Sequence, residues 1–301
     1  MMPASHYLRL YMQPSLQFAV LVCALPGLAS SLRLFASPAR GRALACKWQE
    51  ERQVGNGTEV DHLVQGLTPG ACERFPAAHL ALQELSEVYE GHVLDPFHMD
   101  GHAFNENFDR AWDQLGNASI YGEILPQSVV AMLASVGARP GMKYYDLGSG
   151  FGKTVILAGL LGLEATGVEL VDQRWHASCA ALSRARDASS SLHPRQVRMV
   201  HGDILNFDFS DADIVFTDSL AFSESMMDML SQAARRMRPG TRIITAQPLD
   251  SVWFRDVATF KGPSTWASDS DWLIQEPRMP VAGDIAHITG LQKADAEDCS
   301  S

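Results

Sequence analysis

From Lys143 onward, short apolar runs alternate with longer stretches in which apolar residues recur every three or four positions. The runs predict strands at Lys143 to Leu147, Ala165 to Leu170, Val197 to His201, Ala212 to Thr217 and Thr241 to Ala246. The periodic stretches predict helices at Lys153 to Leu161, Gln173 to Ala188 and Ser223 to Met237, with Arg238-Pro239-Gly240 turning the chain into the fifth strand. Strands alternating with helices indicate an α/β fold: a doubly wound, mostly parallel sheet covered on both faces. Upstream, Leu80, Leu82, Leu85, Val88 and Tyr89 stand at helical spacing and predict a helix over Ala77 to Glu90. A second runs from Gln127 to Ser135, opened after Pro126 and ended by Gly137 and Pro140, so a helical extension precedes the sheet. Beyond Pro248 the pattern weakens, and Thr265-Trp266 with Trp272-Leu273-Ile274 are the candidates for an antiparallel pair. Ala294 to Ser301 reads as a polar, frayed tail, and no internal repeat is present.

Composition adds a second layer. The chain has 301 residues, 46% hydrophobic and 20% charged, enough for one sizeable core and an extension. Its net charge of -11 argues against a protein that binds nucleic acid strongly by itself, because such binding rests on Lys and Arg neutralising phosphates. The acids are unevenly placed: none precedes Glu50, while Arg9, Arg33, Arg40, Arg42 and Lys47 all do. Within that head, Leu16 to Leu28 is an apolar run followed by Ala29-Ser30-Ser31, the form of a signal peptide and too short for an ordinary membrane span. Ser31 to Ala45, rich in Ser, Ala and Arg, has transit-peptide composition. Residues 1–49 are therefore expected to be a targeting segment of plastid or secretory type, with no membrane span in the mature chain. The alternative is a buried N-terminal helix. The five cysteines (Cys23, Cys46, Cys72, Cys179, Cys299) form no C-x-x-C pair, so neither a disulfide framework nor a zinc site is indicated. His98 and His102 stand four apart, but Gly101 between them weakens the helix that would align them, and no metal is expected.

The chemistry concentrates in Tyr144-Tyr145-Asp146-Leu147-Gly148-Ser149-Gly150-Phe151-Gly152-Lys153-Thr154, followed by Gly167-Val168-Glu169. A strand, a glycine-rich turn, a helix and a second strand ending in a carboxylate suit a nucleoside-bearing cofactor: backbone comes close, the helix N-terminus offers N–H groups, and the acid binds a ribose diol. Two familiar motifs fail on spacing. A phosphate-binding Walker loop needs glycine where Leu147 stands, and the dinucleotide fingerprint needs it at Lys153. What remains, D-x-G-x-G-x-G, is the pattern of methyltransferases that use S-adenosyl-L-methionine (SAM). Asp146 would then face the cationic amino-acid end of the cofactor and Glu169 both ribose hydroxyls. Asp203 would take the adenine amino group, with Ile204 against the ring. Gly150, Glu169, Asp203 and Asp218 all fall at or just after strand ends, where ligands of open parallel sheets bind. The plainer alternative for each acid is a cap on the following element.

Three segments resemble the non-SET histone-lysine methyltransferases named for disruptor of telomeric silencing (DOT). They are Ile120-Tyr121-Gly122-Glu123; the pair Asp146 to Gly152 with Gly167 to Glu169; and Gly202-Asp203-Ile204-Leu205 with Asp218-Ser219-Leu220-Ala221-Phe222, leading to Gly240 to Ile244. The resemblance implies a class I, Rossmann-like, seven-stranded sheet, and transfer of a methyl group from SAM to a lysine of histone H3. It also implies that the loop carrying Tyr121, Gly122 and Glu123 folds over the methionine part of the cofactor, and that Gly148, Ser149, Gly150, Gly152 and Lys153 complete the cofactor set. The chain departs from the family at Asp218-Ser219, where two asparagines are usual, and at Ile124, where a threonine is usual. Its aromatic pair is represented by Trp272 and Leu273, and no lysine-rich nucleosome-binding extension is visible.

The expected organisation is a targeting segment at 1–49, a linker and helical lead-in at 50–119, the SAM-dependent domain at 120–285 and a tail at 286–301. The expected reaction is in-line methyl transfer to a protein amine, with Trp272 and Phe222 as channel walls and Asp218 or Ser219 holding the amine. Other substrates stay open: an organellar protein lysine, like those of the enzymes that modify a membrane-ring subunit of ATP synthase, or a small molecule. So does a noncatalytic SAM-binding domain. The family resemblance favours the nucleus, and the head favours an organelle.

Overall fold

The computed structural model describes residues 66–89, 122–188, 192, 196–278 and 297–299. The expected targeting head and linker, His98, His102 and Tyr121 lie outside them. Two helices lead in: α1 (Pro69–Arg74), capped by the Thr68 hydroxyl, and α2 (Ala78–Tyr89). Only α2 had a signature in the sequence. It buries Leu82, Leu85, Val88 and Tyr89 but turns Leu80 outward. Next come α3 (Pro126–Ser135), β1 (Lys143–Leu147), α4 (Lys153–Leu160), β2 (Glu164–Glu169), α5 (Asp172–Ala188) and β3 (Val197–His201). The second half holds β4 (Ile214–Thr217), α6 (Glu224–Ala234), β5 (Arg242–Thr245), β6 (Phe254–Gly262), β7 (Ser270–Pro277) and β8 (Glu297–Asp298).

The sheet order is β6-β7-β5-β4-β1-β2-β3-β8. Strands β1 to β5 are mutually parallel, and β6, β7 and β8 join antiparallel. This is the expected α/β, mostly parallel sheet, with one short strand more than the seven expected. Because β1 lies between β2 and β4, the chain reverses direction across the sheet there and leaves a crevice beyond the strand ends. Successive residues of β1 feed different cores: Tyr144 joins Phe151, Ile156 and Trp272 on one face, and Tyr145 joins Phe209, Leu230 and Phe254 on the other.

Three expectations need correction. The first strand of the antiparallel pair is Phe254–Gly262, while Thr265-Trp266 lies in the connection to β7. The end of the tail is not frayed: Glu297 and Asp298 pair with His201 and Val200 of β3. And Cys179 of α5 is joined to Cys299 by a disulfide, so two of the scattered cysteines are partners across 120 residues.

Candidate functional site

The glycine-rich turn sits at the end of β1, where the crevice opens. Gly148, Gly150 and Gly152 have φ of 85°, 54° and 81°, a region that side chains with a Cβ rarely enter. Gly148 N and Ser149 N donate to Val168 O at 2.8 and 3.0 Å, which folds the turn over β2. That approach requires Gly167: a Cβ there would stand 2.6 Å from Ser149 Oγ and 2.8 Å from Val155 Cγ2. At the end of β2 the nearly buried Glu169 accepts from Gly150 N through Oε2 (2.7 Å) and from Val171 N through Oε1 (2.8 Å). Each carboxylate oxygen keeps a second lone pair for a ligand hydroxyl.

Beneath the turn, Asp146 is 2% exposed and accepts from the Thr154 hydroxyl, a partner the sequence did not disclose. Burial pushes its carboxyl up to about 7; the Thr154 bond opposes the shift, and the charges of Glu169, Asp218 and Glu123 add to it. Asp218, just past β4, is likewise pushed up to about 7 by burial, with Glu123 adding and the Leu220 N–H and Trp272 indole opposing. Geometrically that indole contact is incomplete. Among the described residues Asp218 Oδ1 and Trp272 Nε1 are buried and lack a hydrogen-bond partner.

The upstream loop closes the same end of the sheet. Glu123 O accepts from Thr265 N at 2.8 Å and Glu123 N donates to Thr265 Oγ1 at 3.0 Å, and its carboxylate pairs with Lys153 Nζ at 2.5 Å, both side chains nearly buried. Gly122 lies under the Trp266 ring, where a Cβ would come 2.4 Å from Cε3. Tyr89 of α2 reaches in from the other side: its hydroxyl donates to Phe151 O at 2.8 Å, and Lys153 Nζ lies 5.6 Å from its ring centroid.

Among the described residues the charges of Glu123, Glu169 and Asp218 all bear on Asp146, and the buried ammonium of Lys153 pairs with Glu123. Such a cluster favours a cationic ligand. Asp203 is occupied locally, accepting from Leu205 N at 2.9 Å and Asn206 Nδ2 at 2.7 Å, the capping role weighed against adenine recognition. Ile204 is buried in the second core. Of the substrate positions, Ser219 is fully buried and accepts from Ala246 N and Gln247 N at 3.1 and 3.2 Å. These two bonds pin the exit of β5. Phe222 is half-buried against the second core, its carbonyl held by Gln247. Trp272 is fully buried, and its aromatic neighbours are Phe260 and the half-exposed Trp266 rather than Leu273. Trp266 had been legible only as a strand residue. Among the described residues no group of three or more His, Cys, Asp or Glu could hold a metal, and no helix is long and apolar enough to cross a membrane.

Comparison with known proteins agrees with this geometry. The histone-lysine N-methyltransferase, H3 lysine-79 specific, of Emericella nidulans is 24% identical over 52% of this chain and 35% of its own length. The enzyme of the same name from Candida albicans is 27% identical over 48% of this chain and 11% of its own. A carboxy-S-adenosyl-L-methionine synthase of Photobacterium profundum is 33% identical over 40% of this chain and 50% of its own. This chain therefore spans about a third or less of the two histone-directed relatives. Residues 112–261, just under half of the chain, match the family described as histone methylation protein DOT1, the family that its motifs resemble.

Proposed function

We propose that this chain binds SAM in the β1–β4 crevice and methylates a lysine amine of a protein, in the manner of the histone-directed relatives. The observation that carries the reading is the Gly148–Gly152 turn locked to Glu169 at the switch point of the sheet. The residues present fit the cofactor. The turn admits close backbone approach, Glu169 keeps lone pairs for a ribose diol, Lys153 offers an ammonium near the helix N-terminus, and the buried carboxylates favour a sulfonium over a neutral ligand. The loop at Tyr121, Gly122 and Glu123 is assigned to the methionine end, and Asp203 with Ile204 to the adenine end. For Asp203 this needs a lone pair not used by Leu205 and Asn206.

When bound, SAM supplies an electrophilic methyl group. The chain supplies alignment and dryness. A lysine has an ordinary pKa of about 10.4, and entry into an apolar passage lowers it, because burial disfavours the ammonium. Asp218 Oδ1, buried and unpartnered, is placed to accept an N–H of that amine and so to orient its lone pair. The exposed Trp266 and the half-buried Phe222 are assigned as walls of that passage, with the buried Trp272 beside Trp266.

Histone H3 is the substrate that the relatives' names support. Two observations support a protein outside the nucleus instead: the Cys179–Cys299 disulfide, a bond that persists in oxidising compartments, and the acid-free head. Titration calorimetry with SAM and with S-adenosylhomocysteine (SAH) tests the cofactor; absence of binding to both ends the reading. Glu169→Ala is expected to weaken binding by about a hundredfold or more, since two charge-assisted bonds are lost. Labelled-methyl transfer to nucleosomes, free histones and organelle extract, with imaging of the tagged protein, separates the substrates. Label in none of them would leave a noncatalytic SAM-binding domain.

A further inference from the structure

A turn built on three glycines with positive φ has little stiffness of its own, because each glycine samples a wide range of backbone angles in the absence of neighbours. Its shape must be imposed from outside. Glu169 fixes one side by accepting from Gly150 N. The Phe151–Gly152 peptide is fixed from a different direction: the carbonyl of Phe151 accepts from the hydroxyl of Tyr89, the last residue of α2. Tyr89 is fully buried, and burial together with the charge of Glu123 raises its phenol well above the ordinary range, which favours the protonated hydroxyl that donates. The end of α2 is itself tied down, since Arg184 of α5 donates through Nε to Val88 O at 2.9 Å. The Tyr89 ring also lies beside the ammonium of Lys153, the first residue of α4.

We infer that Tyr89 is a positioning residue of the cofactor site: its hydroxyl sets the Phe151 peptide, and through it the N-terminus of α4, in the shape that the nucleoside and methionine ends of SAM require. The inference rests on the proposed cofactor and goes beyond it, because Tyr89 lies outside the stretch matched by the DOT1 family. It makes the lead-in helix part of the binding machinery rather than a cap on the sheet. Tyr89 touches no ligand in this scheme. It acts through the turn.

The experiment compares full-length wild type with Tyr89→Phe, which removes one hydroxyl and keeps the ring. Calorimetry should show the Kd for SAH rising about five- to tenfold, the worth of one buried hydrogen bond. In steady state the KM for SAM should rise by a similar factor while kcat at saturating SAM holds, a split that loss of stability alone does not produce. An unchanged Kd in a folded variant overturns the inference. Hydrogen exchange on the wild type gives a reading that needs no variant: saturating SAH should slow exchange in Leu85 to Tyr89, and no change there also overturns it. Wild type that fails to bind SAH refutes the cofactor itself, a different outcome from wild type and Tyr89→Phe binding equally.

Discussion

Replacing Asp218 by asparagine should stabilise the ligand-free protein, and more so as pH rises. The carboxyl of Asp218 is raised from 3.8 to about 7, chiefly by burial. A carboxyl with a raised pKa in the folded state binds its proton more tightly folded than unfolded. Its contribution to stability is therefore complete below the unfolded value and is lost as pH climbs through the folded one. At 1.36 kcal/mol per unit, the part of the shift lying above pH 5 is worth about 2–3 kcal/mol. Asparagine keeps the shape and does not ionise, so the variant escapes this loss. Urea unfolding at pH 5 and pH 8 should show the stability gap between Asp218→Asn and wild type widening by about 2–3 kcal/mol, with an unchanged dependence on denaturant. Comparing the two proteins cancels groups that do not sense Asp218, including Asp208 and Asp211, whose lowered values act in the opposite direction; Asp146 does sense it, and loses one of the charges that raise its carboxyl. A gap that is the same at both pH values would show that Asp218 is not held as a desolvated carboxyl. A ligand cation has the reverse effect, favouring the ionised form: in wild type the preference for SAM over SAH should grow from pH 6 to pH 8, and in Asp218→Asn that growth should shrink.

Other consequences can be checked directly. Gly167→Ala places a Cβ 2.6 Å from Ser149 Oγ and should cost about 1–3 kcal/mol by overpacking, with weaker SAH binding because the turn must shift; a neutral variant would contradict the tight approach of turn and strand. Cys299→Ser, or reduction by a dithiol, opens a link across 120 residues and should lower unfolding stability by about 2–4 kcal/mol. Peptide mapping without reductant should recover Cys179 joined to Cys299, and its absence would remove the bond from the native protein. Gly150→Arg forces a long side chain with a Cβ into a φ of 54° beside Glu169, and SAH binding by calorimetry should disappear. Retained affinity there would mean that the cofactor lies elsewhere.

What could be read in advance divides by whether the information is local. Strands β1 to β5 were legible because most of their residues are buried and they appear as short, largely apolar runs between turn signals. The glycine turn and Glu169 were legible for a related reason: the geometry is built within one strand–turn–helix–strand unit. Strand β6 was missed because most of its residues are exposed at the sheet edge and include Arg255, Asp256 and Lys261, so no apolar alternation marks it. Strand β8 consists of two exposed acids, and it is held by the disulfide at Cys299 and the Arg198–Asp298 pair at 2.8 Å, neither of which leaves a periodic trace.

The site residues divide in the same way. Asp218 and Ser219 are adjacent and polar, which made both plausible partners for an amine, yet backbone amides 27 and 28 residues onward claim the Ser219 hydroxyl and leave the Asp218 oxygen without a partner. Trp266 and Trp272 look alike in sequence; only the hairpin between β6 and β7 makes one a buried support and the other a half-exposed edge. Tyr89 is the clearest instance. In helix α2 its periodicity is that of any core aromatic, and phenylalanine would satisfy the same pattern. The hydroxyl acquires its meaning from a carbonyl 62 residues away, across a contact between the lead-in helix and the glycine turn. A pattern of apolar positions can therefore locate the crevice, but the groups that give it a fixed shape are chosen by long-range hydrogen bonds, and Tyr89→Phe is the substitution that separates the two contributions.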